Sequence, residues 1–439
     1  MKIFRTLCLI GWASLISLSL QAQKKVPYSF QYQAEASEVS KLKELTQVSY
    51  SGTSSIRLYF EEVQLGINSY LLLEGSDGAE QKMDATALKN WNNSSAYFNG
   101  QNVKVSAYQA AGEAISVKLK EIKVNEQGAN RKMVPIHHTS AAQARTTDED
   151  DDNPGYWGEA VGRFTDGVGA RGTGWIAANG AIVTDNNFGA LESTSYTDGN
   201  HLERYDIIEF NVPPSNPDGT VNHPAPEDQY PLNIDKFYWR RKQGYNTLDG
   251  IDWIKFLQVR KYPTPIEPFD YGPEDFPDIW NYWIGGYTIL EALPNSTGKR
   301  PGERIGKYFQ PYADYLVNPE ELDTETEMDL FHYGSHNQTD ATSKTLQKTR
   351  IILNDDSREW MAYKPGDNGP PGPKGPKEIN PNPSHFLLYD TPDPSPDFWD
   401  EHMEGGVIVH PYSNVAVGIH NEGDASGEAP SLSTTFWDH

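Results

Sequence analysis

Gly172-Thr-Gly-Trp-Ile-Ala-Ala-Asn-Gly-Ala-Ile-Val-Thr184 is the stretch of sequence that decides the fold of this chain. Trp175 and Ile176 form an apolar pair, and Ala181-Ile-Val-Thr184 is rich in the β-branched residues that favour strands. Between them lies Asn179-Gly180, a pair typical of two-residue hairpin turns in which both residues take positive φ angles. The stretch therefore predicts a β-hairpin.

The composition of the whole chain also favours sheets over helices. The sequence holds 11 Trp, 24 Tyr, 37 Gly and 30 Pro, which indicates strands joined by long ordered loops. With 439 residues, the chain is long enough for two or three domains. The net charge of −24 argues against nucleic acid and anionic membranes as partners, because both would be repelled.

The first 22 residues predict a secretory signal peptide. Met1-Lys-Ile-Phe-Arg5 is basic, and the apolar run that follows it to Leu20 is too short for a membrane span. We therefore expect cleavage near Ala22, a secreted or periplasmic protein, and no membrane insertion. The single cysteine, Cys8, lies in this segment, so we expect no disulfide in the mature chain.

The rest of the chain divides into three parts by pattern. Residues 23-125 show short alternating strands bounded by turn residues, which predict an N-terminal β-sandwich domain. Residues 126-155 contain Asp148-Glu-Asp-Asp-Asp152, and this self-repelling run predicts a solvated acidic linker without the ligand spacing of a calcium loop. Residues 156-439 are β-rich again, and their Pro-rich stretches predict long inserted loops.

Three segments of residues 156-439 follow one another in an order that resembles a known family. The first is the predicted hairpin, the second is Gly250-Ile-Asp252-Trp-Ile, and the third is His402-Met-Glu404-Gly-Gly-Val-Ile-Val409 with the following Val415-Ala-Val-Gly-Ile-His420. Together they resemble the His, Asp and Ser segments of trypsin/chymotrypsin-like serine endopeptidases of the secreted bacterial type. The resemblance implies an all-β chain in which the β-sandwich precedes a trypsin-like double β-barrel.

The same resemblance gives the triad-equivalent positions as Asn187, Asp252 and Glu404. An Asn amide cannot take a proton as a general base. A Glu carboxylate is a poor nucleophile, and it puts negative charge where the tetrahedral intermediate must develop its own. Losing one triad member costs roughly 10⁴ to 10⁶ in rate, so both losses together predict an inactive pseudoprotease. We expect it to bind a protein or peptide ligand, with no cofactor and no metal.

Further hypotheses concern how this degenerate site is held. The Asn187 amide could donate a hydrogen bond to Asp252, and the Glu404 carboxylate could accept the backbone N–H groups of the remnant oxyanion loop. The resemblance includes His402, Gly405 and Gly406 in that loop, and His402 stands where the family has Gly.

His420 completes the predicted binding set. It lies in the strand that lines the primary specificity pocket in the family, and Gly418-Ile-His420 resembles bacterial glutamyl endopeptidases, in which a pocket His reads an acidic side chain. The alternative is a core His that donates to a backbone carbonyl, because a single His on an apolar strand is usually structural.

Two other functions remain open from the sequence. An active endopeptidase would need its base and nucleophile elsewhere, and the candidates are His201, His332, Ser395 and Ser413. Neither serine has the Gly-x-Ser-Gly-Gly surroundings that build an oxyanion loop.

The second alternative is that the N-terminal sandwich binds glycans or a cell surface through Trp91, Tyr97 and Phe98. His332-Tyr-Gly-Ser-His336 has the spacing of a metal-binding pair, but its Gly-Ser interior argues against the helix of a zinc protease.

Overall fold

The computed structural model of the protein describes residues 23–126, 155–165, 167, 170–185, 207–214, 221–240, 287–311, 327–333, 346–353, 386–390, 405–409, 414–422 and 431–434. The predicted signal peptide and most of the predicted linker lie outside these residues. Strands make up most of the described residues and the few helices are short, so the all-β prediction is confirmed.

The N-terminal unit, residues 23–126, consists of eight strands in two antiparallel sheets. One sheet has the order β1-β8-β3-β6 and the other has the order β2-β7-β4-β5. A short helix, α1 (Ala85–Asn90), follows β5. The strands are β1 (Gln23–Ala34), β2 (Lys41–Ser49), β3 (Thr53–Gln64), β4 (Tyr70–Gly75), β5 (Glu80–Met83), β6 (Phe98–Asn99), β7 (Asn102–Gln109) and β8 (Ile115–Glu126).

Side chains from both sheets of this unit form one hydrophobic core. Trp91, Tyr97 and Phe98 belong to it, with exposed fractions of 1%, 2% and 0%. The prediction that these three aromatic side chains form a glycan-binding surface is therefore wrong. Large aromatic rings bury much apolar area when they enter a core, and here that burial decides their position.

The first barrel follows the N-terminal unit and a one-turn helix, α2 (Gly155–Gly158). Its six antiparallel strands close on themselves in the order β10-β11-β14-β13-β12-β9. A 3₁₀ turn (Pro226–Asp228) leads into β13, and α3 (Pro301–Ile305) follows β14. The strands are β9 (Val161–Thr165), β10 (Ala170–Ile176), β11 (Ile182–Asp185), β12 (Ile207–Glu209), β13 (Gln229–Arg240) and β14 (Tyr287–Ala292).

The hairpin predicted from the opening stretch is β10 and β11. Trp175 pairs with Val183 and Ile176 with Ile182, and both apolar side chains of the first strand are fully buried. The turn differs from the prediction, because it holds three residues, 178–180, and only Gly180 has a positive φ (81°). The Asn179 side chain accepts a hydrogen bond from the N–H of Ala181 (3.0 Å), which stabilises the longer turn.

The second barrel is built from the C-terminal strands. Its ladder runs β20-β19-β16-β17-β18-β21, and the pairing of β20 with β21 closes the ring of six. A further short strand, β15, pairs in parallel with β20 outside the ring. The strands are β15 (Gln310–Pro311), β16 (Glu327–His332), β17 (Gln347–Leu353), β18 (Phe386–Asp390), β19 (Val407–Val409), β20 (Val415–Glu422) and β21 (Ser431–Thr434).

The two barrels share one strand order. In each, the first strand pairs with the second and fourth, and the third pairs with the sixth. Their cores are continuous, since Phe309 makes a T-shaped contact with Trp175 of the first barrel (5.9 Å between ring centres) and lies 6.2 Å from Phe331 of the second. The predicted double β-barrel therefore agrees with the described strands. No helix in the described part of the chain is long and apolar enough to cross a membrane.

Candidate functional site

The two barrels meet where the loop before β19 lies against the β10–β11 hairpin. The Thr184 hydroxyl donates to the carbonyl of Thr173 (2.6 Å), and the Thr173 hydroxyl accepts from the N–H of Tyr333 in the second barrel (2.9 Å). Gly405 fills the remaining space with φ +82°. A Cβ there would lie 2.0 Å from the Thr173 oxygen and 2.3 Å from the Thr184 hydroxyl, so this junction requires glycine.

Three of the predicted binding residues come together beside this junction. The N–H of Gly405 donates to the carbonyl of His420, and the N–H of His420 donates to the carbonyl of Gly406, both at 2.8 Å. The two residues after Glu404 are thus fixed to the strand β20. The exposed fraction of His420 is 1%. The fourth predicted binding residue, His402, lies outside the described residues.

The three triad-equivalent positions, Asn187, Asp252 and Glu404, also lie outside the described residues. Strand β11 ends at Asp185, two residues before Asn187, and Gly405 directly follows Glu404 in the sequence. The described chain therefore brings the segment before Asn187 against the segment after Glu404.

Of the alternative site residues, the structure describes only His332. His332 is buried in strand β16, with an exposed fraction of 3%, whereas a zinc-protease pair requires a helix. His201, His336, Ser395 and Ser413 lie outside the described residues. Among the residues that the structure describes, no group of three His, Cys, Asp or Glu side chains could hold a metal ion.

The first barrel contains a buried ionic cluster that was not predicted from the sequence. Arg163 and Glu209 are register partners on β9 and β12, and the Arg163 guanidinium donates to one carboxylate oxygen at 2.6 and 3.1 Å. The other oxygen lies 2.6 Å from Nδ1 of His223. All three side chains are fully buried. A charged residue inside a short strand gives no sequence signal of its own, and the partners lie far apart in the chain.

The cluster holds Glu209 in its charged form. Burial alone would raise the pKa of this carboxyl, but the charges and hydrogen bonds of His223 and Arg163 outweigh that effect and lower the pKa below its ordinary value. Close by, burial raises the pKa of Tyr333, whose hydroxyl donates to the carbonyl of Val161 (3.4 Å). The barrel thus contains a buried carboxylate whose negative charge is balanced by neighbouring protein groups instead of being hydrated by solvent.

The chain matches no protein-family model and no curated protein. Among solved structures, it is similar to the Vibrio cholerae VesB protease, with 13% identity and a TM-score of 0.32 over 64% of this chain. Neuropsin, a serine protease expressed in the limbic system of mouse brain, gives 11% identity and a TM-score of 0.33 over 64% of this chain and 90% of its own. Kallikrein-related peptidase 10 gives 11% identity and a TM-score of 0.31 over 67% of this chain and 93% of its own. The match spans 62% of the VesB chain.

Proposed function

We propose that the protein is a secreted homologue of the trypsin-like serine proteases that has lost catalysis and binds a protein or peptide ligand at the junction of its two barrels. The observation that carries this proposal is the close packing of Gly405 against Thr173 and Thr184. It supports a site to which the hairpin before Asn187 and the loop after Glu404 both contribute, as the sequence resemblance requires.

The chemistry of the site residues supports the loss of catalysis. Peptide hydrolysis by a serine protease needs an imidazole that takes a proton and a hydroxyl that attacks the carbonyl. Asn187 and Glu404 supply neither, and Asp252 alone has no proton to transfer at neutral pH.

The retained packing supports a binding role. Gly405 and Gly406 form backbone hydrogen bonds with His420, so the segment that follows Glu404 is fixed to strand β20. In this proposal the ligand is an extended peptide segment, and His420 favours an acidic side chain on it.

The test of catalysis is peptidase activity on a mixed peptide library. We expect no cleavage by the natural mature chain and slow cleavage by the double variant Asn187→His with Glu404→Ser. Adding Asp252→Ala to the double variant should abolish the gained activity, because the restored imidazole would lose its orienting carboxylate. Cleavage by the natural chain would refute the proposed loss of catalysis, and survival of that activity in Asp252→Ala would also show that the site has been placed wrongly.

The test of binding uses an array of immobilised peptides in Glu-containing and Gln-containing pairs. We expect retention of Glu peptides over their Gln partners, and loss of that preference in His420→Phe, a variant that keeps the apolar bulk. Equal retention of both members of every pair by the natural protein would exclude the proposed specificity.

A further inference from the structure

The N-terminal unit contacts the first barrel through two reciprocal pairs of hydrogen bonds. The side-chain amide of Gln229 in the barrel accepts from the N–H of Tyr97 and donates to its carbonyl, both at 2.9 Å. In the opposite direction, the amide of Asn99 donates to the carbonyl of His223 and accepts from its N–H, again both at 2.9 Å. Each unit therefore satisfies two backbone groups of the other.

An aromatic stack lies between these two pairs. The Tyr97 ring stacks on the imidazole of His223, with 4.4 Å between ring centres and 10° between planes. The guanidinium of Arg57, itself fully buried, lies 5.2 Å from the centre of the same Tyr97 ring. The stack covers the His223 side of the buried ionic cluster.

Two smaller contacts extend the same surface. Asn125 near the end of β8 donates from its side-chain amide to the carbonyl of Gly167 (3.3 Å). Ile207 of the first barrel is fully buried within the hydrophobic core of the N-terminal unit. The surface therefore combines apolar, aromatic and directional polar contacts, as stable protein interfaces do.

The contacts make the cluster of Arg163, Glu209 and His223 depend on the N-terminal unit. Gln229, which pairs with Tyr97, also donates to the carbonyl of Pro224, next to His223. Without the unit, one face of the His223 ring would be open to water and two backbone groups of His223 would lose their partners. A buried charge cluster is stable only while water is excluded and its hydrogen bonds are complete.

From these contacts we propose that the N-terminal unit is a permanent partner of the first barrel, which stays bound when the connection between the two is cut. The interaction surface is Tyr97 and Asn99 on one side and His223 and Gln229 on the other. The unit acts as an internal clamp on the barrel rather than as a segment that is removed. This proposal does not depend on the function proposed above.

The experiment uses the full mature chain with a specific protease site inserted in the predicted linker, residues 126-155. After complete cutting, verified on a denaturing gel, the two parts are run on a sizing column at about 1 µM, where a stable interface keeps its halves together. We expect one peak that contains both parts. Two separate peaks would overturn the proposal.

The variants Gln229→Ala and Asn99→Ala test whether this surface holds the parts together. Each removes both hydrogen bonds that its side-chain amide makes across the surface, so we expect the dissociation constant of the cut protein to rise roughly 10- to 100-fold. The matched control is Gln64→Ala, which removes an exposed amide that donates to Glu62 of its own unit. Effects of the two test variants no larger than that of the control would overturn the assignment of the surface.

Hydrogen exchange of the protein with its natural interface residues tests the same surface without a substitution in it. The N–H groups of Tyr97 and His223 donate across the surface, so both should keep their protection from exchange after the linker is cut. Loss of protection at both amides upon cutting would contradict permanent binding, even if the parts elute together.

Discussion

Replacing Gly405 with Ala should destabilise the protein far more than the same change at a glycine of equal backbone conformation in open space. Gly180 provides that comparison, since its φ is +81° against +82° for Gly405, and no atom lies within 4 Å of its added Cβ. For Gly180→Ala we expect a loss of about 1–2 kcal/mol in the free energy of unfolding, from the left-handed conformation alone.

At Gly405 the added Cβ would lie 2.0 Å from a backbone oxygen of the neighbouring barrel, which must retreat by about 1.4 Å to reach ordinary contact. Forced overpacking costs about a further 1–3 kcal/mol, so Gly405→Ala should lose about 2–5 kcal/mol in total. Urea unfolding followed by tryptophan fluorescence measures both variants. Equal losses would show that the barrels do not meet at Gly405 as described, and the site proposed at their junction would lose its support.

Three further perturbations follow from the buried contacts. Glu209→Gln should lower the free energy of unfolding by about 3–5 kcal/mol at pH 7, because it leaves Arg163 without its counter-ion. The folded pKa of Glu209 is lowered, so its stabilisation is present above the unfolded pKa of about 4.3 and is lost as the pH falls through the folded pKa. The stabilities of the natural protein and the variant should therefore converge in acid unfolding titrations. Thr184→Val should cost about 0.5–1.5 kcal/mol in urea unfolding because it removes the hydrogen bond to the Thr173 carbonyl, whereas Thr184→Ser should cost less; the reverse order would contradict the hydrogen bond. Trp91→Ala should lower the free energy of unfolding by about 3–5 kcal/mol, because it leaves a cavity in the core. A variant that is fully stable and has lost only glycan binding would instead support the hypothesis of a glycan-binding surface.

The sequence was sufficient for the barrel architecture but not for the turn and the ionic cluster. Alternation and β-branching locate strands such as β11 because each strand buries one face, a local property of the chain. The three-residue turn at 178–180 depends on a side-chain bond from Asn179, which competes with the two-residue turn that Asn-Gly usually makes.

Some residues of the candidate site could likewise be predicted from the sequence, and others could not. Gly405, Gly406 and His420 could be paired from their motif, because neighbouring strands of the second barrel hold them together. Arg163, Glu209 and His223 could not, since only the closed barrel brings these polar residues into contact. Similarly, aromatic content in the N-terminal unit did not distinguish a binding face from a core, because both need large apolar rings.

The strand order common to both barrels also fixes when each barrel can be completed during synthesis. In both, the last strand in the chain bonds to the third and fifth, so the ring has two open edges until that strand arrives. For the second barrel this strand is Ser431–Thr434, and β18 and β20 have unpaired edges until it has left the ribosome. This barrel therefore cannot close before that strand has been made.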